Sequence, residues 1–130
     1  MSLNSKDIIK KYELEIGKVE VYKNYMIAYL NEGIILSLER AYELNGISEI
    51  HFGNRDFAYI AVRNHSYSVD PFIYTHTKKI KNLKAFAVVS KMELLKHSFK
   101  IEQHFFGDKP MKMFNNIEEA LQWVKSILNK

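Results

Sequence analysis

Phe57-Ala58-Tyr59-Ile60-Ala61-Val62 is almost wholly apolar. A run of that length and composition fits a strand covered on both faces. Two further runs follow the same plan, Lys84–Val89 and Met111–Phe114. Behind each run comes an amphipathic stretch with a helix-start signal, near Asp70, Lys91 and Asn116. Asp70-Pro71 places a carboxylate over free backbone N–H groups and a proline where no hydrogen bond is lost. Ser90-x-x-Glu93 is a capping box, and Asn115-x-x-Glu118 caps the last helix. Strand alternating with helix predicts an α/β domain with a largely parallel sheet.

The helical stripes support this. Phe72, Ile73, His76, Ile80 and Leu83 follow the first start signal, and Met92, Leu95 and Phe99 the second. Ile101 and Phe105 extend that apolar surface. Ile117, Ala120, Leu121, Val124 and Leu128 form the cleanest amphipathic stripe in the chain. Upstream, Tyr12, Leu14 and Ile16 alternate with polar residues, as a half-buried strand does. Gly17-Lys18 punctuates, and Val19–Tyr22 either continues that strand or begins its return. Tyr25–Leu30 reads as a second strand, paired with the first as an antiparallel hairpin. A helix is expected from about Glu32 to Leu44, with Asn31 as N-cap, Asn45-Gly46 as its stop, and Ile34, Ile35, Leu38, Ala41 and Tyr42 buried. Ile47–Asp56, with its Gly53-Asn54 turn signal, leads into the next strand.

The 130 residues suit one domain, with residues 1–10 a frayed lead-in or a short helix. Hydrophobic residues make up 47% and charged residues 26%, which opposes disorder. The absence of cysteine excludes disulfides, thiol catalysis and thiolate metal sites. No run approaches the length of a membrane span, and Met1–Lys11 lacks the apolar heart of a signal peptide, so a cytoplasmic location is expected. Asn64-His65-Ser66 then matches the glycosylation pattern by chance. The net charge of +4 is mild. Its densest run, Lys78, Lys79, Lys81 and Lys84, has no arginine and no interleaved aromatics. A solvated helix end explains it better than a nucleic-acid surface.

Read in order, the elements are strand, strand, helix, strand, helix, strand, helix, strand, helix. That order resembles the STAS superfamily, the sulfate-transporter and anti-sigma-factor-antagonist fold. Within it the chain resembles the SpoIIAA-like small bacterial proteins, also described as STAS/SEC14-like. The residues carrying the resemblance are Phe57–Asn64, the loop His65–Asp70, Ile80-Lys81-Asn82, Ala85–Ser90 and Phe114–Val124. The resemblance itself covers nearly the whole chain. It implies a single-layer, mixed, mostly parallel sheet with four helices packed on it. It also implies partner binding without enzyme chemistry. Many relatives are switched by phosphorylation of a serine at the start of the helix after the third strand. Here Ser66 and Ser68 fall in that position, although the usual Asp-Ser-Ser-Gly pattern is absent. Relatives of the SEC14 kind carry lipids, which implies an apolar pocket.

The candidate partner-binding and phospho-switch loop is therefore Ser66, Tyr67, Ser68 and Asp70, with Tyr74 beside it. A phosphate on Ser68 would meet the free N–H groups of a helix start, opposed by Asp70. The plainer reading has both serines satisfying loop backbone groups. Tyr67 and Tyr74 are expected at the surface, and most other tyrosines at the core edge. His76 reads as a core or edge histidine. The histidines at 51, 65, 97 and 104 show no metal spacing, and no phosphate loop or nucleophile elbow is present, so no metal, cofactor or catalytic residue is expected. The Met92–Phe106 helix, with Met111 and Met113, reads as core before it reads as the lining of a lipid cleft. The expectation is a non-enzymatic regulatory domain for an unidentified protein partner. The alternative is a carrier or sensor of a small apolar ligand or lipid held between helices and sheet. The short strand Met111–Phe114 leaves a homodimer open.

Overall fold

The computed structural model describes residues 7–63, 68–92 and 95–129, with the backbone alone at 68, 69 and 97. In chain order the elements are β1 (Lys10–Leu14), β2 (Gly17–Val21), β3 (Tyr25–Leu30), β4 (Ile35–Leu36), α1 (Leu38–Phe52), β5 (Phe57–Val62), β6 (Ser68–Val69), α2 (Ile73–Thr77), β7 (Leu83–Val89), α3 (Leu95–Phe106), β8 (Met111–Phe114) and α4 (Ile117–Leu128). Six strands form one sheet in the order β1-β2-β3-β5-β7-β8. β1, β2 and β3 are an antiparallel meander. From β3 onward every pairing is parallel. The expected single-layer mixed sheet with four helices is the observed architecture, with β4 and β6 added as a small parallel pair of their own.

Val19–Tyr22 begins the return: Val19 pairs with Tyr12 on one side and Ala28 on the other. Gly17 opens that return strand at φ +142°, and a Cβ there would lie 2.0 Å from the Tyr29 carbonyl oxygen. Only glycine lets β2 and β3 close at that point.

Every residue of β5 is buried, as its composition requires. Phe57, Tyr59 and Ala61 face one core, and Ala58, Ile60 and Val62 face the other. In β7 the same division puts Phe86 and Val88 on the first face and Ala85, Ala87 and Val89 on the second. The helices divide unequally. α1, α2 and α3 supply Leu44, Ile73 and Phe99 to the first core, whereas α4 supplies Ala120, Leu121 and Val124 to the second. Parallel crossovers share one hand almost without exception, so successive crossovers stepping the same way across a sheet put their helices on the same face. The steps β3 to β5 to β7 to β8 all run one way. α4 follows the edge strand and is free to cover the opposite face.

Several boundaries differ from expectation. The first helix is α1, which starts six residues later than read and runs through Asn45-Gly46 to Gly53. Its N-cap is Ser37, whose hydroxyl accepts from the Arg40 N–H at 3.3 Å. Ile35-Leu36, expected on that helix, pairs instead with Ser68-Val69. Ile35 and Tyr42 are exposed rather than buried. α2 has one short turn-like span, beginning three residues after Asp70 rather than at it. Asp70 still serves the entry, since its Oδ1 accepts from the Phe72 N–H at 3.0 Å. Ser90 accepts from the Met92 N–H at 3.1 Å; its capping-box partner Glu93 lies outside the described residues. The last helix is capped by Asn116, not Asn115, through the Glu119 N–H at 2.9 Å.

Candidate functional site

Alternate residues of one strand face one side of a sheet. Phe57, Tyr59, Ala61 and Arg63 therefore follow one another along β5 and its extension under α1 and α2. All four line a cavity of about 40 Å³ between the sheet and those helices. Its floor is completed by Met26 and Phe86, and its walls by Leu44, Ile73 and Ile80. A space of this kind holds about three water-sized groups, at roughly 10–15 Å³ each.

One end of the cavity is polar. Arg63 is 1% exposed and Glu102, on α3, 5% exposed. The guanidinium Nη1 donates to both carboxylate oxygens of Glu102, at 2.7 and 2.9 Å. Its Nη2 donates to the Tyr74 hydroxyl at 2.8 Å, and that hydroxyl donates onward to Glu102. Burial works against the Arg63 charge, but Tyr74 and Glu102 more than offset it and hold the guanidinium's pKa above its ordinary value. Burial raises the Tyr74 pKa, with Arg63 pulling the other way. The three side chains join β5, α2 and α3 by a paired charge, which a buried ion requires.

Tyr59 is different. Its ring stands edge-on to Phe86 at 4.8 Å. Its hydroxyl is buried and has no hydrogen-bond partner among the described residues. Burial raises its pKa, and Arg63 lowers it by a smaller amount. The neighbouring hydroxyls are committed: Ser48 donates to the Asn45 carbonyl at 2.7 Å and Thr77 to the Ile73 carbonyl at 3.1 Å.

The residues singled out from the sequence are only partly brought together. Ser66 and Tyr67 lie outside the described residues, as does the side chain of Ser68. The Ser68 backbone pairs with Ile35 in the small sheet. Asp70 is exposed at the entry to α2. Tyr74, expected at the surface, is 1% exposed and belongs to the buried charge cluster, because α2 turns it toward the sheet. His76, read as a core or edge histidine, is exposed, its ring 6.3 Å from that of Tyr42. Met111 and Phe106 are core residues, and the cavity lies away from α3's methionine-rich flank. Of the histidines weighed for metal binding, His65 and the His97 side chain lie outside the described residues.

Sequence reasoning missed Arg63, Glu102 and Tyr59. A signal for two of them existed. Arg63 ends an apolar strand, and Glu102 stands between Phe99 and Phe106 on the buried stripe of α3. Opposite charges on two buried faces need each other.

A second feature is on the outside. Phe72, directly after Asp70-Pro71, is 64% exposed. Its ring meets Phe105 edge-on at 5.2 Å, and Ile101, one turn earlier on α3, is 54% exposed. Lys100 and His104 are exposed on the same helix, and Lys78 runs beside Gly107 at its end. No helix among the described residues is long and apolar enough to cross a membrane.

The family model described as SpoIIAA-like matches residues 15–125. Among solved structures, an uncharacterised protein of Shewanella loihica with a SpoIIAA-like fold is similar to this chain at 15% identity and a TM-score of 0.53, covering 95% of this chain and 98% of its own. Comparison with curated proteins gives no match.

Proposed function

This chain belongs to the SpoIIAA-like family, and we propose that it acts as a non-enzymatic regulatory domain that recognises a partner protein. The observation that carries this reading is the apolar patch of the exposed Phe72 and Ile101 with the half-buried Phe105, at the entry to α2 just after Asp70-Pro71. Contiguous exposed apolar side chains mark interaction surfaces, whereas single ones do not. Aromatic anchors at the centre of a patch supply most of an interface's energy. The bordering cations Lys78 and Lys100 fit a partner with an acidic rim. The non-enzymatic part is supported by the interior: the ionisable groups Arg63, Glu102 and Tyr74 are bound to one another rather than presented to a substrate.

The test compares proteins retained from native-cell extract by the wild-type chain with those retained by a Phe72→Glu/Ile101→Glu variant, alongside Ser68→Asp. Both variants should keep a nearly unchanged melting temperature. The double variant should lose specific partners, and Ser68→Asp should alter their binding. Identical retention by all three chains, or turnover of any substrate, would overturn the reading. The cavity favours a second reading, capture of a small apolar molecule inside the fold. Its size suits a compact molecule, not a lipid chain.

A further inference from the structure

The geometry points to a specific ligand chemistry for the cavity under α1 and α2: a compact, uncharged, mostly hydrocarbon molecule carrying one hydrogen-bond acceptor, held by the Tyr59 hydroxyl. This rests on the second reading above, that the cavity binds a ligand at all.

Three observations set the chemistry. The first is the lining, which is dominated by aliphatic and aromatic side chains from β3, α1, β5, α2 and β7. Such walls bind carbon and offer nothing to a strongly hydrated group. The second is charge. Arg63 is already met by both oxygens of Glu102 and by the Tyr74 hydroxyl. The ion pair is electrically closed, so a carboxylate or phosphate entering beside it would lose its hydration without gaining a counter-ion. The third is the Tyr59 hydroxyl, buried on the same strand face and without a partner among the described residues. A buried donor left unmade is costly. A carbonyl, ether or alcohol oxygen in the cavity would complete it. The neighbouring Ser48 and Thr77 hydroxyls already donate to backbone carbonyls, and Asn45 lines the cavity only half-buried, so among the described residues Tyr59 is the fully buried donor left to fix the ligand's orientation.

Size completes the class. About 40 Å³ admits a skeleton on the order of three to five heavy atoms without movement of the walls. A short ketone or alcohol fits; a fatty acid fails on both length and charge.

The experiment uses the full chain and methyl-resolved NMR, with xenon, butan-2-one and propionate as probes. Xenon reports an apolar cavity regardless of hydrogen bonding. Butanone and xenon should both shift the Ala61 and Ile73 methyl signals saturably, and propionate at neutral pH should not. Tyr59→Phe keeps the ring and removes the donor; it should weaken butanone about five- to tenfold, the range one hydrogen bond supplies, and leave xenon unchanged. Ala61→Val should weaken both by narrowing the space. If xenon binds but butanone binds wild type and Tyr59→Phe alike, the cavity reading stands and the assignment to Tyr59 falls. If propionate binds as well as butanone, the charge argument falls. If neither xenon nor butanone binds the wild type, both the ligand reading and this assignment fall.

Discussion

Arg63, Glu102 and Tyr74 form a buried charged cluster that is costly to break. Removing Arg63 or Glu102 strands the other's charge in a dry interior. Glu102→Gln should therefore destabilise the fold by about 3–5 kcal/mol in urea titration, as broken buried pairs do. Replacing Arg63 with Met and Glu102 with Leu together should cost clearly less, since no lone charge remains. A double variant as damaged as the single one would show that packing, not charge, carries the loss. Tyr59 predicts the opposite sign. Its hydroxyl has no partner among the described residues, so Tyr59→Phe should leave stability unchanged or raise it by up to about 1 kcal/mol, whereas Tyr74→Phe should lower it by a similar or larger amount. From sequence alone Tyr59 lay on a covered strand and Tyr74 at the surface, the reverse of which hydroxyl finds partners. What separates them is which side chains the fold brings within hydrogen-bond reach.

Among the elements, the apolar strands were the most legible. β5 and β7 fall where their composition puts them, because strands buried on both faces have no other environment that suits them; β8 also falls where read, as an edge strand with Lys112 exposed. α1 was the least legible. Ile34, Ile35, Leu38 and Ala41 have helical spacing, yet Ile35-Leu36 is taken by β6, more than thirty residues away in sequence. Asn45-Gly46 looked like a stop, but the helix passes through it. Glycine there costs about 1 kcal/mol against alanine, and burying Ile47 and Phe52 beyond it returns roughly 1.5–3 kcal/mol each. The real stop is Gly53, at φ +56°. Ser37→Ala should accordingly cost about 1 kcal/mol of stability and Asn31→Ala less; equal losses would argue against Ser37 as the cap. Gly17→Ala should cost more than about 1 kcal/mol, because the new Cβ would meet the Tyr29 carbonyl. A melting temperature equal to wild type would count against that close approach.

For the whole molecule, burial of tyrosines sets a limit at high pH. Tyr59 and Tyr74 are held neutral in the fold, with pKa values raised above 10.0 by burial. Once the pH exceeds that unfolded-state value, the unfolded chain releases these protons and the folded chain does not. Their contribution is thus fully present below about pH 10 and declines as pH rises toward the folded values, by up to about 1.4 kcal/mol per pH unit for each group. Urea midpoints measured on either side of that pH should fall more steeply for the wild type than for Tyr59→Phe. Parallel profiles for the two chains would contradict the burial of a titrating Tyr59.

The sequence alone determined the α/β class, the order of its main strands and helices, the amphipathic stripe of α4 and the family resemblance. These follow from local composition and periodicity, which act between near neighbours and are written in the chain. Only the tertiary structure decided that α1, α2 and α3 share one face while α4 takes the other. It alone joined Arg63 to Glu102 across 39 residues, turned Tyr74 inward, and set Tyr59 in the lining of a cavity. Pairings of that kind depend on where distant segments meet in space, and no local pattern of residues records that distance.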